Sequence, residues 1–332
     1  MEIAIVIALI ILLIFILPLI PIHLAFDKEV KKRLNFSKDF KYFNHLDFPN
    51  LQFKPHAFVS HQGQILKGGF YRYEKIDRKK LLIFIPGYGP GHLAYTGVIE
   101  QLCRLGYEVF SFDLTGTGHS EGKNFIGYTQ GLKDIQFAFA SLNKLPEYNK
   151  RTWTLIGHSL GGFVVLNSGA TPGYPIEKVV SLSGFNNVID IFKTQREQFN
   201  RWYVYFSMYM LLRYGFKAFL TSFQSVKKST KRYLIMMGGK DQIVPVKENF
   251  KIYHSIESKR VQLVELANKF HNPYLSETGE RYFIETFLME RPKVLKSNDV
   301  KKIKSFHARI DYALATQNDV HVFKLIESFL QN

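Results

Sequence analysis

Near its middle the chain reads Thr152-Trp153-Thr154-Leu155-Ile156-Gly157-His158-Ser159-Leu160-Gly161-Gly162. The apolar run at residues 152–156 predicts a buried strand, and the residues from 159 to about 168 predict a helix, with a glycine-rich turn between them. A serine on such a turn has a strained backbone and an exposed hydroxyl, and small residues two positions to either side let strand and helix approach closely. G-x-S-x-G alone is common by chance, so the flanking strand and helix carry the argument. The stretch predicts Ser159 as a nucleophile.

A serine hydroxyl is a weak nucleophile until a base accepts its proton, so a histidine and an orienting acid are expected downstream. Asp241 follows a predicted strand at residues 233–237, and His271 follows the last predicted strand, at residues 261–266. Both stand at carboxyl ends of strands, where ligands bind in open α/β sheets. The order Ser159, Asp241, His271 is the chain order of one class of serine hydrolases. His254 lies in a short predicted helix and is expected to be a surface residue.

Strand-like and helical segments alternate on both sides of this motif. Residues 58–60 and 64–73 predict an antiparallel hairpin, and continuous apolar runs at 81–85, 107–112, 179–182, 233–237 and 261–266 predict further buried strands. Helical stretches lie between several of these runs. The alternation predicts an α/β fold with a mostly parallel sheet and helices on both faces.

Several ordered motifs make the chain resemble the α/β-hydrolase fold family, and within it the monoglyceride-lipase and lysophospholipase-like serine hydrolases. Residues 84–89, Phe-Ile-Pro-Gly-Tyr-Gly, are similar to the family's oxyanion loop, and residues 106–122 to the strand and loop that follow. The resemblance extends over residues 53–289. It implies that the backbone N–H groups of Tyr88 and Leu160 hold the oxyanion, and that Asp113 is a structural acid. Pro86 replaces the family's usual histidine, which affects the support of the loop more than the backbone donors.

The predicted organisation has five parts. We expect a transmembrane anchor at residues 3–22, a juxtamembrane connector at 23–52, a hydrolase core at 53–185 and 231–290, a helical cap at 186–230 and a C-terminal helical hairpin at 291–332, outside the main sheet. The cap is rich in aromatic residues and contains Arg196, Arg201 and Arg213. Its aromatic side chains either line an acyl-chain groove, dip into a membrane surface beside lipid headgroups, or only pack on one another.

The predicted anchor consists of twenty residues without a charged side chain, which as a helix span about 30 Å, one hydrocarbon core. A cleaved signal peptide would have a basic start and a shorter apolar stretch, whereas Glu2 stands at the start here. Lys28, Lys31, Lys32 and Arg33 follow the apolar run. The positive-inside rule therefore predicts a single-pass membrane protein with the hydrolase domain in the cytoplasm.

The residue composition and net charge limit the classes of cofactor and binding partner that are expected. Hydrophobic residues make up 46% of the chain and charged residues 22%, as in folded globular proteins. The single cysteine, Cys103, excludes an intrachain disulfide and a cysteine-based metal site, and we expect no metal and no cofactor. Lys and Arg number 44 against 28 Asp and Glu, a net charge of +16 that favours anionic surfaces. No nucleic-acid-binding motif accompanies this charge, so a membrane is the expected partner.

These observations together predict a membrane-anchored serine hydrolase that cleaves carboxylic esters, of an acylglycerol or lysophospholipid kind, through an acyl-enzyme. An acyltransferase or a peptidase with the same three residues is an alternative within this class. A catalytically silent scaffold that binds a lipid or a protein is the alternative outside it, based on Pro86 and on the added helical tail.

Overall fold

The computed structural model of the chain describes residues 2–77, 79–125, 127–189, 191 and 202–332. Much of the first half of the expected cap, including Arg196 and Arg201, therefore lies outside the described residues.

In the described residues, eight strands form one sheet in the order β1-β2-β4-β3-β5-β6-β7-β8. The strands are β1 Gln52–Val59, β2 Ile65–Arg72, β3 Lys80–Ile85, β4 Glu108–Phe112, β5 Thr152–His158, β6 Ile176–Leu182, β7 Arg232–Gly238 and β8 Val261–Leu266. β2 pairs antiparallel with β1 and β4, and every other pair is parallel. The mostly parallel sheet predicted from the sequence is confirmed. Because parallel strands end at the same edge, β5, β7 and β8 bring Ser159, Asp241 and His271 to one side of the molecule.

Helices cover both faces of the sheet, which explains why the central strands are apolar on both sides. One face carries the helices Gln130–Asn143, Leu160–Ser168 and Ser222–Lys228, which contribute Phe139, Phe163 and Val226 to its core. The other face carries the helices Thr96–Arg104 and Val320–Gln331. Cys103 is buried in this second core.

The remaining helical elements surround this core. The α-helices are Tyr203–Tyr214 in the cap, Val246–Asn249, Glu277–Phe283, Arg291–Lys296, Val300–Ala308 and Tyr312–Ala315; the 3₁₀-helices are His45–Asp47, His92–Tyr95, Gly215–Phe219 and Lys251–Ser255; and Ile284–Glu290 is a π-helix. His254 lies in the last of these 3₁₀-helices and is exposed, in agreement with its expected surface position.

The C-terminal tail differs from the predicted hairpin outside the sheet. Its last helix, Val320–Gln331, packs against the sheet, because apolar side chains recur along one of its faces and all of them are buried there: Val322, Phe323, Ile326, Phe329 and Leu330. The Nζ atoms of Lys80 and Lys178 donate to the carbonyl of Leu330 at 3.0 and 2.8 Å. The tail therefore completes one face of the core.

The N-terminal residues are helical over Glu2–Ile11, Leu12–Ile16 and Leu19–Val30, the middle segment with π-helical geometry. The stretch Ile3–Lys28 is long and apolar enough to cross a membrane, a test that a signal sequence would also pass. The helix continues past the predicted end of the anchor at residue 22. It does so because Ile22, Phe26 and Val30, spaced four apart, are buried against the body of the protein.

Candidate active site

Ser159 occupies the turn between β5 and the helix Leu160–Ser168, with φ 52° and ψ −113°. A positive φ strains a residue with a side chain and persists only where the surroundings enforce it. Here they do, because the turn leaves no room to relax. A Cβ on Gly157 would overlap the carbonyl of Gly161, and a Cβ on Gly161 would overlap the carbonyl of Ile85. The two glycines thus allow the close approach that presents the Ser159 side chain at the strand end.

The groups implied as oxyanion donors flank this serine. Leu160 is the first residue of the helix after β5, and the first N–H groups of a helix have no partner within it and favour negative charge. Tyr88 lies in the loop after β3, where its ring packs against Phe125 and Tyr128 with centroids 5.2 and 5.8 Å away. The loop and the helix start lie close together, because a Cβ on Gly161 would overlap the carbonyls of Ile85 and Pro86, and Tyr88 lines the same cavity as Ser159.

Asp241 and His271 form a hydrogen-bonded pair. His271 Nδ1 lies 2.8 Å from Asp241 Oδ2, and the side chain of Asp241 is fully buried. The other carboxylate oxygen, Oδ1, accepts the backbone N–H groups of Ile243 and Val244, both at 2.9 Å. A carboxylate can only accept, so the Nδ1 of His271 donates and its Nε2 is left as the basic nitrogen.

The loop that carries His271 is held by a carboxylate that the sequence analysis did not identify. Glu280 accepts the N–H groups of Phe270 and Asn272 at 2.9 and 2.7 Å, so it fixes the residues on both sides of His271. Burial raises the pKa of Glu280, and the two N–H groups oppose that effect. Glu280 follows the histidine in the helix Glu277–Phe283, and no local pattern distinguishes it from Glu277.

A second set of hydrogen bonds joins three loops around His158. Gly87 N–H donates to the hydroxyl of Tyr95 (3.1 Å), which lies 2.9 Å from His158 Nδ1, while His158 Nε2 lies 2.8 Å from the carbonyl of His271. A carbonyl only accepts, so Nε2 carries the proton and Nδ1 accepts from Tyr95. Burial, together with the nearby charge of His271, lowers the pKa of His158 to about 3. The neutral ring connects the oxyanion loop to the His271 loop.

This arrangement shows what supports the loop at Pro86, where the resembled family usually has a histidine. The loop after β3 is supported by the hydroxyl of Tyr95 on the N–H of Gly87. Neither His158 nor Tyr95 was identified from the sequence as support for this loop. A tyrosine a few positions beyond the loop was the only local signal, and it gave no indication of its partner on β5.

Asp113 and Asp134 both lie in structural networks, the role that the family resemblance implied for Asp113. Asp113 is fully buried and accepts the N–H groups of His92 and His119 at 2.7 and 2.8 Å, so it ties together the loops after β3 and β4. Asp134 accepts from Ser60, Thr115 and Gln130, and burial raises its pKa.

A cavity of about 390 Å³ brings the candidate residues together. Ser159, His271 and Tyr88 line it, together with Gln242, Glu280 and Leu288. Asp241 and Leu160 are buried beside it. Within the described part of the chain, no three His, Cys, Asp or Glu side chains cluster as a metal site would require. The site thus offers a serine, an imidazole paired with a carboxylate, and backbone donors at a helix start.

Comparisons with known proteins bear on the fold of the chain. Residues 76–202 match the family described as serine aminopeptidase, S33. The esterase Pf2001 of Pyrococcus furiosus is 20% identical, with a TM-score of 0.56 over 82% of this chain and 98% of its own. The α/β hydrolase GrgF of Penicillium sp. sh18 is 14% identical, with a TM-score of 0.51 over 78% of this chain and 100% of its own. No curated protein is significantly similar to the chain. The chain has the α/β-hydrolase fold, as its motifs predicted.

Proposed function

We propose that this α/β-hydrolase-fold protein hydrolyses carboxylic esters, with Ser159 as nucleophile, His271 as general base and Asp241 as the acid that orients the imidazole. The observation that carries the proposal is the Asp241–His271 hydrogen bond of 2.8 Å beside a cavity that Ser159 and His271 both line. The strained turn at Ser159 supports it, because such strain persists at functional sites.

In the proposed reaction, Ser159 Oγ attacks the acyl carbonyl while His271 Nε2 accepts its proton. The negative oxygen of the tetrahedral intermediate accepts hydrogen bonds from the N–H groups of Tyr88 and Leu160. His271 then donates its proton to the leaving alcohol, and an acyl-enzyme on Ser159 remains. A water molecule then attacks the acyl carbonyl while His271 accepts its proton. His271 returns that proton to Ser159 Oγ, and the carboxylic acid is released. Asp241 stays ionised throughout and stabilises the imidazolium.

Labelling and turnover test the nucleophile directly. A fluorophosphonate probe should label the wild-type protein and not Ser159→Ala, and hydrolysis of short acyl esters should fall by at least about a thousandfold in the variant. Ser168→Ala is the matched control, since Ser168 is buried in the same helix but does not line the cavity. Equal labelling of Ser159→Ala would contradict the proposal. A stoichiometric adduct on Ser159 would also exclude the silent-scaffold alternative.

The described walls of the cavity favour esters over peptides with a free amino terminus. An aminopeptidase needs an anion for the substrate ammonium group, and the carboxylate among these walls is Glu280, whose two oxygens already accept backbone N–H groups. An aminoacyl-amide substrate tests the peptidase alternative. Product analysis with a competing alcohol tests the acyltransferase alternative, in which the alcohol would replace water as acyl acceptor.

We further propose that the protein is anchored in a membrane by its N-terminal helix, with the body in the cytoplasm, and acts on acylglycerol-like or lysophospholipid-like esters. The end of this helix docks on the cap helix Tyr203–Tyr214: the ring of Phe26 lies 6.0 and 5.6 Å from those of Phe206 and Tyr209, and Asp27 pairs with Arg213. Leu212 and Phe216 nearby are 72% and 87% exposed. Apolar side chains beside the end of an anchor suit a position at the bilayer surface.

Reporter fusions at the C-terminus, active only inside or only outside the cell, test this topology. A signal from outside would overturn the orientation, and release of the body into the medium would overturn the anchor.

A further inference from the structure

A second cavity, of about 270 Å³, adjoins the one that contains Ser159. The two cavities share the lining residues Pro90, Ala94, Tyr95, Tyr274 and Phe283. Pro90 and Ala94 follow the oxyanion loop, and Tyr274 follows His271. The second cavity therefore begins where the two catalytic loops come closest to the C-terminal helices.

The outer wall of the second cavity is aromatic. Phe40, from the connector that follows the N-terminal helix, lies 5.4 Å from Phe287 between ring centroids, and Phe287 stacks on Phe283 at 5.0 Å. The guanidinium of Arg291 covers the ring of Phe40 at 4.6 Å. These contacts fix the connector against the C-terminal helices, so the wall combines two segments that are far apart in sequence.

The inner wall is mainly apolar as well, although Thr96, Thr316 and Asn318 also line the cavity, together with Tyr95 and Tyr274. The hydroxyl of Tyr95 pairs with His158, and that of Tyr274 donates to Asn272 Oδ1 at 3.3 Å. Both hydroxyls therefore have partners. Lys41 also borders the cavity, but its ammonium pairs with Asp47 at 2.9 Å. What these walls offer to a ligand is mainly aromatic and aliphatic surface, which suits a neutral hydrocarbon.

We propose that this second cavity binds the acyl chain of the ester whose carbonyl is held at Ser159. The inference rests on the proposed ester hydrolysis and adds the position and chemistry of the chain. During that reaction the alcohol must leave and water must enter beside His271, whereas the acyl group stays attached to Ser159 through both steps. A mainly apolar site next to the oxyanion loop therefore suits the acyl side, and the connector and C-terminal helices set the chain length.

The experiment is a series of p-nitrophenyl esters with acyl chains from two to twelve carbons, measured on the full-length protein in detergent. We expect kcat/KM to rise by up to about fourfold for each added methylene until the cavity is full, and then to fall. The readout in every variant is its own ratio of long-chain to acetate kcat/KM, so a general loss of activity does not affect it.

Two variants act in opposite directions. Ala94 is exposed and borders both cavities. The indole introduced by Ala94→Trp should obstruct the space between the two cavities and lower the decanoate-to-acetate ratio by at least about tenfold. Ala94→Ser should keep the wild-type ratio. Phe287→Ala should enlarge the cavity and move the optimum by about two or more carbons towards longer chains. Phe137→Ala, which removes a ring outside both cavities, is the matched control and should keep the wild-type optimum.

The outcomes separate the two proposals. Active hydrolysis of acetate with a flat chain-length profile, or profiles unchanged in Ala94→Trp and Phe287→Ala, would overturn the acyl-chain site and leave ester hydrolysis standing. A length dependence that appears only with acetates of long alcohols would overturn the acyl assignment. No turnover of any ester together with no labelling of Ser159 would overturn the proposed function, and the inference with it.

Discussion

The turn at Ser159 and the loop at His271 lie at the same edge of the sheet but are held in place differently. The Ser159 turn is fixed by its own backbone, because Gly157 and Gly161 leave no space for a Cβ. The His271 loop is fixed by side chains of other segments, Glu280 and His158. A change in the first region should therefore disrupt fold and activity together, whereas changes in the second should cause smaller, separable losses.

The largest effect is expected from Gly161→Ala. The new Cβ would overlap the carbonyl oxygen of Ile85, so β3 and the helix after β5 must separate, with a loss of about 3 kcal/mol or more of unfolding free energy and nearly all activity. Gly97→Ala is the control for stability. Gly97 lies in the helix Thr96–Arg104, and a Cβ there would make its nearest contacts with Thr316 at 3.7 and 4.0 Å. Denaturant unfolding checks both, and a fully stable Gly161→Ala would refute the contrast.

A smaller effect is expected from Glu280→Gln. The amide oxygen can accept a hydrogen bond from the N–H of Phe270 or of Asn272. The amide nitrogen is itself a donor and cannot accept the other N–H group. We expect a loss of about 1–3 kcal/mol in stability and a fall in kcat of about tenfold, since His271 is then poorly placed. Glu277→Gln, an exposed change in the same helix, is the control. An unchanged kcat would show that the loop does not need this carboxylate.

Tyr95→Phe should have a smaller effect still. It removes the hydroxyl between Gly87 N–H and His158 Nδ1, and we expect kcat to fall about fivefold with little change in KM, because the oxyanion loop acts on the transition state. The loss of stability should be about 1 kcal/mol. Tyr73→Phe, which removes a hydrogen bond to Glu100 elsewhere, should leave kcat unchanged. A rise in KM alone would indicate a substrate contact instead of loop support.

The smallest effect, when measured near neutral pH, is a pH dependence due to His158. Burial lowers its pKa to about 3 in the folded protein, so between pH 6.5 and 3 the unfolded chain binds a proton that the folded chain does not. Stability is therefore lost as pH falls through this window, by under about 1 kcal/mol at pH 6 and by at most about 1.4 kcal/mol per further pH unit. Urea unfolding at several pH values checks this prediction. The unfolding free energy of His158→Gln should depend less steeply on pH than that of the wild type or of His254→Gln, which changes an exposed histidine. Parallel slopes would contradict the prediction.

The same contrast decides what could be predicted from the sequence. The Ser159 turn is visible because strand, serine, glycines and helix are contiguous. The succession of strands and helices along the chain follows from alternating apolar runs, whereas the order of the strands within the sheet comes from the structure. The sequence also identified Asp241 and His271 as candidates, because each directly follows a strand. Tyr95, His158 and Glu280 act through partners on other segments, and one sequence without a fold does not show which segments meet.

The two ends of the chain show the limit of apolar patterns. The sequence predicted an anchor that ends at residue 22 and a C-terminal hairpin outside the sheet. In the structure the N-terminal helical segments continue to Val30, and Val320–Gln331 packs on the sheet. In both cases the apolar spacing was readable, but the surface that covers it belongs to a distant segment.

The hydrogen-bond direction around His158 also determines how many mobile protons the site can hold. The rings of His158 and His271 lie 4.9 Å apart between centroids, and the proton of His158 is committed to the carbonyl of His271. Since burial keeps His158 uncharged, a second imidazolium does not form beside the first. In the proposed reaction the proton taken from the serine therefore resides on His271 alone until the alcohol or the acid departs. NMR of the imidazole nitrogens should accordingly find His158 as a fixed Nε2–H tautomer throughout turnover.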